Sequence, residues 1–187
     1  IRVFQQSRGW LGVSVKTGLM IILIASLVYA PVMLEIKSNH FGKMESRTLD
    51  GNRYFSDMYP DEAKAVAWLS TKPPGILAEA IGGSYTGYAR VSTLTGYPTV
   101  LGWPGHEGQW RGGDEEMGTR AYDIEKLYST NDWSTAESII RQYAIRYIFI
   151  GNLERATYHV NDGKFIQHLP VVFDQGSVII LEVVPYD

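Results

Sequence analysis

Two tryptophans, a histidine, a glutamate and an arginine stand within the stretch VLGWPGHEGQWRGG, Val100 to Gly113. Trp103 and Trp110 offer flat faces for a sugar ring or an apolar chain, each with an indole N–H donor. Arg111 offers a planar fork suited to carboxylate or phosphate. An imidazole such as that of His106 exchanges a proton near neutral pH, and Glu107 could act as a base or orient a hydroxyl. The interspersed glycines let backbone approach a ligand closely. Stacking face, anion fork and acid–base pair together suit a sugar or a sugar phosphate. The competing reading is structural, with the tryptophans plugging the rim of a sheet and Arg111 paired to a carboxylate. Either way, the stretch reads as irregular backbone.

A second group lies in EAIGGSYTGYARVST, residues 79–93. Glu79, in an otherwise apolar run, is costly to bury unless paired. Arg90 is a plausible partner, as are Arg111 and Arg120. Gly82-Gly83-Ser84 resembles an anion-cradling turn but matches neither phosphate-loop pattern. His106, Glu107, Asp114, Glu115 and Glu116 are close in sequence, so an oxygen-rich divalent metal site is conceivable. The metalloprotease and EF-hand spacings are both missing, which favours an exposed acidic turn, and no cofactor is expected. Ser84 and Ser92 lack a nucleophile elbow. His40, His159 and His168 belong to no motif and read as surface or packing residues. With no cysteine in the chain, disulfides and thiolate chemistry are excluded.

The elements that must position these residues follow from periodicity. Tyr59 to Gly75 opens with Pro60 and two acids, carries Ala63, Val66 and Leu69 on one stripe, and stops at Pro73-Pro74-Gly75, which predicts a helix. GILAEAIGG reads as a short buried strand and YPTVLGW as a second. TRAYDIEKLYSTND has Ala121, Ile124, Leu127 and Tyr128 at helical spacing, and Ser134 with Glu137 suggests a capping box for the next helix. RYIFIG, 146–151, reads as a strand and NLERATYHV as a short helix. PVVFDQGSVIILEVV reads as a hairpin around Asp174–Ser177. The alternation predicts an α/β fold of Rossmann-like kind, mostly parallel, with a C-terminal hairpin. Ligands of such sheets sit at the C-terminal ends of strands, so Glu79–Gly83, Gly102-Trp103 and Gly151–Glu154 are expected to share one rim.

Thr17 to Leu34 is an uncharged apolar run bounded by Lys16 and Glu35, close to the ~20 residues that span a bilayer. A core helix would show a polar face, and a signal peptide would not place Pro31 directly after the cut. Arg2, Arg8 and Lys16 precede the run, so the N-terminal side is expected to be cytoplasmic; Lys37, Lys43 and Arg47 follow it and weaken the bias. The expected partners include membrane lipid. The net charge is −3 although the first 34 residues carry three bases and no acid, so the body is acidic. An acidic body without a basic stripe argues against nucleic acid.

The segments TLDG (48–51), YPDEAKAVAWL (59–69), residues 79–112, YDIEKLYST (122–130) and RYIFIGNLER (146–155) resemble the C-terminal part of the YYY membrane-protein family. These are polytopic proteins of Chloroflexi-type bacteria and archaea. The resemblance covers nearly everything from about residue 17 onward, and residues 79–112 are its specific part. It implies an integral-membrane glycosyltransferase of the lipid-phosphosugar-dependent kind, with its soluble portion outside the cytoplasm and its main catalytic acid on a loop this chain lacks. The resulting expectation is a cytoplasmic flank and transmembrane helix over 1–37, a connector over 38–56 and an extracytoplasmic α/β domain over 57–187. That domain would bind a glycan acceptor or a polyprenyl-phosphate sugar head group through Trp103, His106, Glu107, Trp110, Arg111, Arg120, Glu79 and Arg90. The alternative is a non-catalytic single-helix subunit docked among membrane-protein partners. A metal-dependent hydrolase is a third reading, and it requires a bound metal.

Overall fold

A computed structural model describes residues 9–38, 40 and 49–184. Arg2 and Arg8 of the flank, Lys43 and Arg47, connector residues 39 and 41–48, and residues 185–187 lie outside the described residues. The chain divides into two compact units, Ile1–Leu49 and Asp50–Asp187.

Among its described residues the first unit contains one helix, α1, Trp10–Lys37. Its 28 residues extend about 42 Å at roughly 1.5 Å per residue, more than the ~30 Å of a bilayer core. Its mean hydropathy reaches 2.3, and it is long and apolar enough to cross a membrane. Polar side chains inside the run satisfy themselves: the hydroxyls of Ser14 and Ser26 donate to the carbonyls of Trp10 and Ile22. Leu23, Ile24 and Leu27 are exposed along its length.

The second unit begins with α2 (Asn52–Met58) and α3 (Pro60–Leu69), then β1 (Ile76–Ala78), α4 (Arg90–Thr95), α5 (Pro104–Arg111), α6 (Arg120–Ser129) and α7 (Trp133–Gln142). It ends with β2 (Ile145–Ile150), α8 (Asn152–Thr157), α9 (Asp162–Ile166), β3 (Val171–Gln175) and β4 (Val178–Glu182). The strand order is β1-β2-β4-β3. The α/β class and the terminal hairpin match expectation. The sheet itself is mixed rather than mostly parallel: β1 and β2 pair parallel, whereas β4 pairs antiparallel with both β2 and β3. One cause is local. The expected strand at 97–103 reduces to a single parallel bridge, Leu77 to Thr99, because Pro98 has no N–H to extend a ladder. The other is long-range: the second hairpin strand, not the first, takes the place beside β2.

Period two sorts the strand residues onto opposite faces. Ile148, Ile150 and Leu181 join Ile124, Leu127 and Tyr128 of α6 and Ile139 and Ile140 of α7. Tyr147, Phe149, Val178 and Ile180 join Ala65, Val66 and Leu69 of α3 and Val91 of α4. With helices on both faces, β2 is buried nearly throughout, as expected of a central strand. The Tyr128 hydroxyl lies within donating distance of the carbonyls of both Ala78 and Phe149, 2.9 and 2.8 Å, and its one proton is shared between the β1 and β2 ends. At the start of α7 the cap is Asp132, whose carboxylate accepts from Thr135 N. The helix thus starts ahead of the expected Ser134–Glu137 box.

Lys164 closes the end of α6. Its ammonium is buried and donates to the carbonyls of Leu127 (2.6 Å), Tyr128 (3.2 Å) and Thr130 (2.6 Å), which a helix C-terminus leaves without intrahelical partners. Burial pushes its pKa down to about 8. Lys164→Met keeps the stem and strands the carbonyls, at a cost of about 1–3 kcal/mol. Thermal melting of the globular unit should fall by roughly 3–10 °C; an unchanged midpoint would show that this cap is dispensable.

Candidate functional site

The stretch expected to be irregular is a two-turn helix. Pro104 occupies the first position of α5, and Gly112 ends it with a left-handed φ of 79°, the usual division of labour between these two residues. The Glu107 carboxylate accepts from Gly102 N at 2.7 Å and lies 3.4 Å from Arg111 Nε. Arg111 donates to Glu116 at 2.7 Å, so its fork is held between two acids at the surface. Those pairings raise its pKa, with Glu116 the larger cause.

Helical spacing places Trp103, His106 and Trp110 on one side of α5. The Trp103 and His106 rings lie 5.8 Å apart, and those of His106 and Trp110 6.4 Å, both near edge-to-face. Tyr85 completes the ladder from outside the helix. Its ring is 5.4 Å from Trp103, and its hydroxyl lies 2.6 Å from His106 Nε2. The Trp103 indole donates to the Tyr88 carbonyl at 2.7 Å, which fixes the inner rung. The outer members are open, with Trp110 80 % and Tyr85 77 % exposed.

Tyr85 is held there by a strained loop. Tyr85 and Ala89 have left-handed φ values of 59° and 57°, each costing on the order of 1–2 kcal/mol for a residue with a Cβ. The Tyr88 ring pins the turn: a Cβ on Gly82 would lie 2.6 Å from its Cζ, and its hydroxyl meets Thr157 Oγ1 at 3.2 Å. Strain held by surrounding packing is a feature of binding sites.

Beside the ladder, and sharing Tyr85 with it, is a cavity of about 580 Å³. Tyr54, Phe55, Tyr59 and Tyr85 contribute aromatic walls, and Glu62 and Arg90 reach it from below. Arg90 donates to both oxygens of Glu62 (2.5 and 2.8 Å) and both of Glu154 (3.2 and 3.1 Å). The guanidinium also lies over the Phe149 ring, 5.4 Å from its centre. Glu62 and Glu154 are buried, and the Arg90 side chain is 10 % exposed. Burial lowers the Arg90 pKa, but hydrogen bonds and charge from Glu62 and Glu154 more than offset it and hold it above its ordinary value. Glu154 additionally accepts from Ala80 N and Gly151 N, both at 2.9 Å. It therefore ties the chain leaving β1 to the turn after β2.

Of the residues singled out by sequence, Trp103, His106 and Trp110 come together, with Glu107 and Arg111 on the same helix. Glu79 and Arg90 do not form the expected brace. Glu79 accepts from Val91 N and Ser92 N at 2.8 and 3.0 Å, and burial raises its pKa. Arg90 turns instead to Glu62 and Glu154. Arg120 opens α6 and acts electrostatically on Tyr143; among the described residues no hydrogen bond or ion pair joins it to the ladder. Among the described residues, no three His, Asp or Glu side chains gather as metal ligands. His168 is a packing residue, stacked on Trp133 at 4.3 Å. Sequence reasoning missed Tyr85, Tyr54, Tyr59 and Glu62. The signal available for Glu62 was its place one turn after Tyr59, at the start of a helix that must bury that side.

No family model matches the chain, and no curated protein matches it. Among solved structures, it is similar to the C-terminal globular domain of an oligosaccharyltransferase from Archaeoglobus fulgidus. The identity is 12 % and the TM-score 0.43, over 66 % of this chain and 97 % of that one.

Proposed function

We propose that the globular unit is the C-terminal, extracytoplasmic domain of an integral-membrane glycosyltransferase-like protein of the YYY kind, anchored by α1 with its N-terminal side in the cytoplasm. Its aromatic ladder binds a glycan acceptor or the sugar of a lipid-phosphosugar head group, with no cofactor at this site. The main catalytic base lies outside this chain. The observation that carries the reading is the open edge of the ladder, Tyr85 and Trp110, set against the fixed inner rung Trp103. Sugar rings present apolar C–H faces to aromatic rings, and hydroxyls at their edges to groups such as the His106–Tyr85 pair. A strained loop that presents Tyr85 supports binding over simple core filling.

The test is titration of the full chain in detergent with hexose and N-acetylhexosamine disaccharides and with a polyprenyl-phosphate hexose, read by tryptophan fluorescence. Trp110→Ala should weaken the binding partner at least tenfold, about 1.4 kcal/mol, while leaving the melting temperature unchanged because Trp110 is exposed. If no probe binds, or if Trp110→Ala binds as well as the parent, the glycan reading fails. The exposure of Trp110 favours a second reading as an anchor for a membrane-protein subunit, since tryptophan dominates interface hot spots. A stoichiometric complex that Trp110→Ala dissolves would support that reading.

A further inference from the structure

The cavity beside the ladder has a chemistry of its own. Its upper wall is aromatic: Phe55 and Tyr59 lie 5.7 Å apart, and Tyr54 and Tyr85 face the same space. Its floor is ionic. Arg90 is enclosed by Glu62 and Glu154, so the three groups together carry a formal charge of −1. Four guanidinium hydrogen bonds go to the two carboxylates, which leaves Arg90 without the free fork that a phosphate or carboxylate ligand would need. Glu154 also accepts two backbone N–H groups. Glu62 accepts only from Arg90 in the hydrogen bonds described and lines the cavity, so it is the carboxylate placed nearest a cation bound there.

We propose that this cavity binds an organic ammonium group, with Tyr54, Phe55, Tyr59 and Tyr85 as its cage and Glu62 as its counter-charge. Aromatic faces attract a cation through their ring quadrupoles. An excess of buried negative charge beneath the rings adds to that attraction and repels anions. The chemistry is shared by an amino sugar and by a quaternary ammonium of the choline type. The inference uses α2, α3, the start of α8 and the Tyr85 loop; it shares Tyr85 with the glycan reading of the ladder but needs neither Trp103, His106 nor Trp110.

The experiment titrates the full chain, in an amine-free detergent, with choline, its neutral isostere 3,3-dimethylbutan-1-ol, glucosamine, glucose and inorganic phosphate. Tyrosine ring resonances report binding. At least one amine should bind tenfold or more tighter than its neutral counterpart, and phosphate should not compete. Preference for glucosamine or for choline identifies the source of the ammonium. Tyr54→Leu, at an exposed position, should lose at least tenfold in amine affinity without unfolding. Glu62→Gln should do the same where it folds. Equal affinity for an amine and its neutral isostere, full affinity in Tyr54→Leu, or displacement by phosphate would overturn the proposal. Failure of the disaccharide titration with retained amine selectivity would leave this site standing and remove only the glycan reading.

Discussion

Arg90→Ala is expected to lower the melting temperature of the globular unit by roughly 10–20 °C. The guanidinium, at the start of α4, is the sole cation in the ion pairs described that join α3, α4 and α8. Removing it leaves Glu62 and Glu154 buried and facing each other, and breaking one partner out of a buried ionic group costs on the order of 3–5 kcal/mol. The loss is larger than a surface pair would give, since both carboxylates are buried and Glu154 is also held by Ala80 N and Gly151 N. Arg90→Lys keeps the charge but not the bidentate fork, so it should fall between parent and alanine variant. Tryptophan fluorescence melts of the full chain in detergent decide the matter. A shift of only a few degrees for Arg90→Ala would mean that the triad contributes little to holding the rim.

Phe149→Ala should be comparably damaging. Phe149 is fully buried, sits opposite Ile180 in the β2–β4 ladder and supports the Arg90 guanidinium from below. Truncating a buried phenylalanine costs about 3–5 kcal/mol through lost burial and the cavity left behind. A milder pair, Phe149→Leu and Arg90→Lys, tests whether core and rim are coupled. Residues in contact typically deviate from additivity by about 0.5–3 kcal/mol. A double-mutant cycle that closes within about 0.3 kcal/mol would show that the cation over the ring is a bystander.

These predictions rest on contacts that were unequally visible beforehand. The α1 run, the Pro60 start of α3, the β2 strand and the C-terminal hairpin are encoded by composition and periodicity within a window of a few turns. The helix at Pro104–Arg111 was encoded just as locally: Pro104 begins it, Gly112 ends it, and 103, 106 and 110 keep helical spacing. The density of glycines masked that period, because Gly105 and Gly108 weaken a helix on propensity alone. Packing against neighbours overrides the deficit; Gly108 is buried, and a Cβ there would meet Asp114.

Some features had no local signature. Arg90 meets Glu62 across 28 residues and Glu154 across 64, and any of several nearby arginines fitted Glu79 equally well on sequence. Glu79 went to backbone N–H groups because the chain folds sharply enough after β1 to bring Val91 and Ser92 over it.

By itself, the sequence determined the apolar α1, the α/β class and the hairpin, since each depends on residue periodicity and turn chemistry within a short window. Only the tertiary structure decided that β4 lies beside β2, that Tyr85 completes the ladder, and that Arg90 is enclosed by two carboxylates beneath an aromatic cavity. Those outcomes depend on which buried groups compete successfully for the same partner, a comparison of desolvation against pairing that exists only once distant segments share one low-dielectric interior.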